Sequence, residues 1–273
     1  MIGVSCIARE FGAGELGQAL AALVCATIPS GVLASSGARN NYFIAMWLVL
    51  AVYFAMRFAA NGKAQDASLL GVSLGCALFT KATAYLFAPC LILAILILNR
   101  RVPVKPLLVG SVGCFSDERR HELAAICQKL SLSGSILGFD SAHADGVYRW
   151  RNETFSFKNT VSNALRNVSE QLGGRDPRWN RRVYQTVVSL HQAMGADVSD
   201  PNTTWPWTVY ESPRNANHEG NVPNTGHLAF LVRMSIVLSI QSVRTGDYRW
   251  LGYLGALGFG FIVFCAYLQW QQV

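Results

Sequence analysis

From Ala67 to Asn99 the chain runs for 33 residues with a single charged side chain, Lys81, beside Thr80. As one helix this run would be ~50 Å long at 1.5 Å per residue, too long for a bilayer core of ~30 Å. Two shorter segments turning at Lys81 fit better. No water-soluble domain of ordinary composition carries such a run: of the 273 residues 51% are hydrophobic and only 14% charged, far from the usual quarter-charged surface. The fold class expected is an all-α polytopic membrane protein of about five to seven spanning helices, with a mainly helical extracytoplasmic insertion.

The other spans follow from length. Gly17 to Ser36 is about 20 residues and forms a first span with a kink at Pro29, and Tyr42 to Ala60 a second, headed by aromatic residues suited to an interface. Leu228 to Ile240 returns to the membrane carrying Arg233, and Trp250 to Trp270 makes the last crossing. Pro106 to Phe115 is too short to span alone. It leads into SDERRHELAAICQKL, an amphipathic helix pattern capped by Ser116 with Leu123, Ile126 and Leu130 on one face. The start, MIGVSCIAREFGAGELG, lacks a basic n-region and a cleavage site. It reads as the tail of a helix already under way, so an N-terminally incomplete chain is expected. The division expected is 1–113 for the first membrane helices, 114–227 for the extracytoplasmic region and 228–273 for the last membrane helices.

The formal charge of +7 invites a nucleic-acid reading until the charges are located. Between Cys114 and His227 there are 12 basic and 12 acidic residues, leaving 11 basic and 4 acidic elsewhere. The excess therefore sits in the apolar parts and their short loops, as the positive-inside rule produces, and no nucleic acid is expected as a partner. With the dense loop Arg100, Arg101 and Lys105 cytoplasmic, the loops at Arg57/Lys63 and Arg244/Arg249 also fall inside. Gly37–Asn41, Lys81 and the region 114–227 then fall outside. The seven cysteines have no CxxC spacing and suggest neither a disulfide framework nor a zinc ribbon.

Within the outer region, Thr160 to Leu172 sets Val161, Leu165, Val168 and Leu172 on one stripe, and Arg182 to Met194 does the same with Val183, Val187, Leu190 and Met194. Two helices packed on each other and on the membrane face are expected. The polar run Thr203–His227 then empties into the next span. Its Trp205, Trp207 and Tyr210 suit an interfacial belt better than a sugar-stacking wall. His218, Glu219 and His227 do not match the HExxH spacing that puts two imidazoles on one helix face, and Pro223 interrupts them. No metal site is assigned.

Five strings, taken in order, resemble a known family: IAREFGAG, ALVCATIPSGVLASSGARNNYFIAMW, GVSLGCALFTKATAYLFAPCL, VSNALRNVSEQLG and HEGNVPNTGHL. The chain is similar to the C-type superfamily of polytopic glycosyltransferases, specifically bacterial relatives of the protein O-mannosyltransferases and of the lipid A aminoarabinose transferase. The resemblance implies transfer of a sugar from a polyprenyl-phosphate donor to a lipid, glycan or protein acceptor at the outer face of a bacterial inner membrane. The loop expected to carry the principal acid in that family would lie upstream of Met1.

Such a reaction needs cationic or hydrogen-bonding groups for the leaving phosphate and a carboxylate to accept the acceptor's proton. Lys81 matches the family's Thr-Lys pair as a phosphate contact, and snorkelling to headgroups is the alternative. Arg39 lies where the family often shows an Asn-Asp pair, but here the acid's position holds Asn41, and an amide cannot serve as base. By resemblance, His218, Glu219, Asn224 and His227 line the donor or acceptor cavity; turn chemistry would explain them equally. Arg233 either snorkels or reaches a phosphate. The catalytic acid is left unassigned, no cofactor is implied, and a divalent metal on the donor phosphate stays open. A noncatalytic membrane protein that binds lipid-linked glycan, or a nonfunctional fragment, is the rival reading.

Overall fold

The computed structural model describes residues 1–36, 40–81, 83–99, 131, 151, 152, 154–206, 208–213 and 223–270. Among them the elements in order are α1 (Ile2–Glu10), α2 (Glu15–Ala26), α3 (Pro29–Ser36), α4 (Asn41–Asn61), α5 (Ala64–Thr80), α6 (Ala84–Leu98), α7 (Phe157–Glu170), α8 (Pro177–Ala193), α9 (Thr225–Thr245) and α10 (Arg249–Tyr267). Strand pairing among these residues is limited to isolated bridges, Arg151 with Leu268 and Thr204 with Trp270. The expected amphipathic helix after Ser116 lies outside the described residues.

Three helices, α4, α9 and α10, are long and apolar enough to cross a membrane. The pair α2 and α3 adds a fourth if its two halves, bent by 68°, are one span. The expectation of five to seven spans is therefore met only in part among the described residues, and the reason is where helices stop. Lys81, in extended conformation with φ −160°, ends α5 at 17 residues, and α6 has 15, so the latter is ~22 Å long and falls short of the ~30 Å core. The turn expected at Lys81 and the break expected at Pro29 are both present, Pro29 opening α3 because its fixed φ and missing N–H suit a first helical position.

The helices alternate in direction, which gives the bundle two ends. One end gathers Phe11, Asn61–Lys63, Asn99 and Gly246–Arg249. There Phe11 meets Trp250 and Tyr253 at ring-centroid distances of 4.6 and 5.7 Å, and Ala51, Ala55, Met56, Leu70, Ile92, Ile95 and Tyr253 form the core. Gly62, in the left-handed region at φ 66°, closes α4 and turns the chain into α5. The turn is fastened by Asp66, 3% exposed, which accepts from Asn61 Nδ2 at 2.8 Å and pairs with Arg57 Nε at 3.2 Å. Arg57, Lys63, Arg244 and Arg249, the basic loop residues of the sequence, belong to this end.

The opposite end gathers the starts of α4, α6 and α9 and the ends of α5 and α10, over a smaller core of Ile44, Ala77 and Ala84. Beyond it sits a cap made of α7, α8, the segment 196–213 and the chain after α10. The cap is fastened to α10 by amides. Asn152 Nδ2 donates to the Cys265 and Ala266 carbonyls at 3.2 and 2.7 Å. Asn163 Nδ2 donates to the Cys265 and Leu268 carbonyls at 2.8 and 3.1 Å. These are carbonyls that a helix C-terminus leaves without intrahelical partners.

The two cap helices pack on each other as expected, through Ser162 Oγ and His191 Nε2 at 2.8 Å. The face of α7 that does the packing is not the expected one. Its buried residues are Ser162, Asn163, Arg166 and Ser169, whereas Val168 of the apolar stripe is 39% exposed. The apolar stripe is real in sequence, but the partners of α7 are carbonyls, hydroxyls and an imidazole, which only polar side chains can satisfy. On α8 the expected Val183 and Val187 are buried and Leu190 is exposed.

Candidate functional site

Asn41 is the first residue of α4 and Lys81 the residue that ends α5, and the antiparallel packing of those helices sets them side by side. Lys81 Nζ donates to Asn41 Oδ1 at 2.7 Å. The neighbouring Asn40 Nδ2 donates to the Thr80 carbonyl at 3.0 Å, one of the acceptors that a helix ending here would otherwise expose. The ammonium is thus held at the mouth of the bundle, on the side of the cap.

A second group forms where the break between α2 and α3 meets the start of α9. Asn224 Oδ1 accepts from the Ser30 backbone N–H at 3.1 Å, and its Nδ2 donates to Ser30 Oγ at 2.9 Å and Gln171 Oε1 at 2.6 Å. Thr225 Oγ1 reaches the Gln171 and Gly173 carbonyls at 3.0 and 2.6 Å. One asparagine therefore joins the broken span, the end of α7 and the start of α9. His227, a turn further on, has Nε2 3.2 Å from Thr27 Oγ1. The Thr27 hydroxyl donates to the Leu23 carbonyl at 2.9 Å, so its oxygen accepts and the His227 proton is assigned to Nε2.

The two groups lie at the same end of the bundle and are linked by packing. A Cβ at Gly31 would stand 3.2 Å from the Tyr42 ring, so the residue after Ser30 touches the residue after Asn41. Of the expected site residues, Lys81 and Asn41 meet directly, and Asn224 and His227 meet at the helix break. Arg233 is exposed on α9, eight residues past Thr225 or ~12 Å along the helix. Arg39, His218 and Glu219 lie outside the described residues, as does Trp207. Sequence reasoning missed Thr27, Ser30 and Gln171, which carry no local signal because their partners are far along the chain. Among the described residues no group of three or more His, Cys, Asp or Glu side chains comes together as a metal site would require.

Behind this end the cap holds a buried charge. Arg166, with no exposed surface, donates from Nη1 to the Val198 carbonyl at 2.9 Å and Thr204 Oγ1 at 2.7 Å. Its Nη2 donates to Thr203 Oγ1 at 3.0 Å and to Asn163 Oδ1, and its guanidinium carbon lies 4.7 Å from the centroid of Trp270. Burial brings Arg166 down to about 10, so it stays charged at neutral pH. Burial pushes the Glu170 carboxyl up to about 8, against the pull of Arg166 and the Trp270 indole. The His191 imidazole is lowered by burial and is held by Ser162 and by the Val187 carbonyl, 2.8 Å from Nδ1. Tyr210 belongs to this core, 2% exposed and stacked on Tyr184, rather than to an interfacial belt.

Residues 1–115 match a family model described as dolichyl-phosphate-mannose-protein mannosyltransferase. The match covers the broken span, Asn41 and Lys81, and it supports a membrane glycosyltransferase of the mannosyltransferase type. No curated protein and no solved structure matches the chain.

Proposed function

We propose that the protein is a multi-pass glycosyltransferase of the bacterial inner membrane that takes a sugar from a polyprenyl-phosphate donor and transfers it at the outer face. The observation that carries this reading is the Lys81–Asn41 pair at the mouth of the bundle, 2.7 Å apart and inside the stretch matched by the mannosyltransferase family. In such a transfer the acceptor hydroxyl attacks the anomeric carbon and gives its proton to a base, the bond from that carbon to the phosphate oxygen breaks, and the lipid phosphate departs with the charge. Lys81 meets that charge at the membrane boundary, where a cation costs little and a phosphate group sits naturally.

Asn41 holds the ammonium in place without neutralising it, since an amide accepts the hydrogen bond but adds no counter-charge. The Asn224 clamp and His227 fix the broken span against α9 and so shape the same mouth. Arg39, His218 and Glu219 border it in the sequence, and Arg233 is reachable by a phosphate drawn slightly into the bilayer. The basic end, with Arg57, Lys63, Arg244 and Arg249, then faces the cytoplasm, in keeping with the positive-inside rule, and the cap faces outward.

A noncatalytic binder of lipid-linked glycan is the second reading, favoured by the amide at position 41 where the family often has an acid. Turnover in proteoliposomes separates the two. With a polyprenyl-phosphate sugar supplied, Lys81→Met is expected to lower transfer about tenfold or more at unchanged protein level, the loss expected for one charge-assisted contact to a phosphate. Unchanged kinetics would leave Lys81 as a headgroup anchor, and donor binding with no transfer by the unaltered protein would favour the binder.

A further inference from the structure

We infer that an open cleft in the cap is the acceptor subsite, and that it takes a saccharide carrying an anionic group, presented from the aqueous side. As an acceptor subsite it rests on the transferase reading; as a binding site it does not. The cleft has a volume of ≈ 950 Å³, within the range of small-ligand sites, and lies between the first turns of α8 and the segment 209–213. Arg175, Arg181, Tyr184 and Gln185 line it, with Glu211 as the one acid.

The spacing of three of these residues is helical. Arg181, Tyr184 and Gln185 stand at i, i+3 and i+4 and so share one face of α8. Arg175 adds a second guanidinium from the turn before the helix. Two guanidinium forks suit the paired oxygens of a carboxylate or phosphate, the tyrosine ring offers an apolar face to sugar C–H groups, and the glutamine amide serves hydroxyls.

The wall behind them is preformed. Asn180 donates to the Gly174 carbonyl at 2.9 Å and accepts from the Gly174 N–H at 2.8 Å, closing the floor. Tyr184 stacks on Tyr210 with centroids 5.5 Å apart and planes 8° apart, and Tyr210 Oη is fixed by Ser169 Oγ at 2.8 Å. This part of the wall loses little freedom on binding.

Position links the cleft to the mouth of the bundle. Gly174 lines it, and the preceding Gly173 packs so closely on Pro213 and Pro223 that a Cβ there would lie 3.1 Å from Pro223 and 3.3 Å from Pro213. The Gly173 carbonyl accepts from Thr225, the neighbour of Asn224. One edge of the cleft is therefore built on the same clamp that holds the broken span.

The test uses the full chain in nanodiscs of uncharged lipid, without donor, and measures binding of oligogalacturonate, a sugar phosphate, neutral maltohexaose and an acidic peptide. The expected result is binding of one or both charged saccharides and no measurable binding of maltohexaose or of the peptide. Arg175→Ala and Arg181→Ala should each weaken binding about tenfold, with Arg181→Lys recovering part of the loss and Arg244→Ala, exposed at the opposite end of the bundle, binding as the unaltered protein does. Both arginines are exposed, so folding should survive the changes. Equal binding of maltohexaose, preference for the peptide, an unaffected double variant, or no binding of either charged saccharide would overturn the assignment. Intact saccharide binding with no sugar transfer would sink the transferase reading alone, and transfer without cleft binding would sink the cleft alone.

Discussion

The bundle and the cap solve the burial problem in opposite ways. In the bundle most of the fully buried residues are alanines, with Ala51, Ala55, Ala77 and Ala84 at 0% exposure. In the cap they are large and polar, with Arg166, Asn163, Asn152 and His191 at 1% or less. Lipid removes the hydrophobic drive between helices, so close approach of backbones through small residues carries the association. The cap holds together mainly through hydrogen bonds among buried polar side chains and backbone carbonyls, with Arg166 Nε, Glu170 Oε1, Gln269 Oε1 and Trp270 Nε1 left without one among the described residues. The two regions should therefore fail under different insults.

The largest expected effect is at Arg166. Arg166→Met strips partners from Val198, Thr203, Thr204 and Asn163 together, and removal of one member of a buried charged network costs about 3–5 kcal/mol. Amide exchange should rise across α7 and α8 while α4 and α5 keep their protection; a uniform change across both regions would break the comparison.

A somewhat smaller effect is expected from pH, confined to the cap. Glu170 is raised in the fold to about 8 from an ordinary 4.5, so its contribution is complete below about pH 4.5 and is lost as pH rises toward 8. His191 is lowered from 6.5, so its contribution is present above pH 6.5 and is lost as pH falls below that. The two windows overlap below pH 6.5 and oppose each other there, so the fall in cap stability above pH 6.5 belongs to Glu170 alone. Glu170→Gln should flatten the alkaline side, by on the order of 3 kcal/mol. Thermal unfolding followed by cap tryptophan fluorescence from pH 4 to 9 measures it, and an unchanged alkaline limb would remove Glu170 as the cause.

The smallest effect belongs to the bundle. A Cβ at Gly252 would meet the end of the Leu98 side chain, so α6 and α10 pack closely there. Gly252→Val should cost about 1–3 kcal/mol by overpacking and loosen α6 from α10. Detergent denaturation should reveal the loss in the bundle, with the cap's pH profile unaltered.

What could be read from the sequence divides along the same line. Membrane helices announce themselves through length and uniform apolarity, and their breaks through Pro29 and Lys81, because those signals are local. The pairing of Lys81 with Asn41 follows once α4 and α5 are taken as antiparallel neighbours. The working face of α7 was hidden because apolar periodicity assumes an apolar partner, and the partner here is the carbonyl end of α10, about a hundred residues away. A polar stripe was nonetheless present: Ser162, Asn163, Arg166 and Ser169 recur at i, i+1, i+4 and i+7. The Asn224 clamp left no such trace, since Ser30 lies 194 residues from it.

The residues that follow α10 have a consequence for the order of assembly in the cell. Trp270, 2% exposed, exchanges backbone hydrogen bonds of 2.8 Å with Thr203 and Trp205 and lies under Arg166. The cap helices leave the ribosome first, yet their interior stays open until α9 and α10 have been synthesised and inserted. At 5–20 residues per second that interval is roughly several seconds. During it Arg166 and its partners are accessible to water and to chaperones. Closure of the cap thus reports that the last two helices have entered the bilayer.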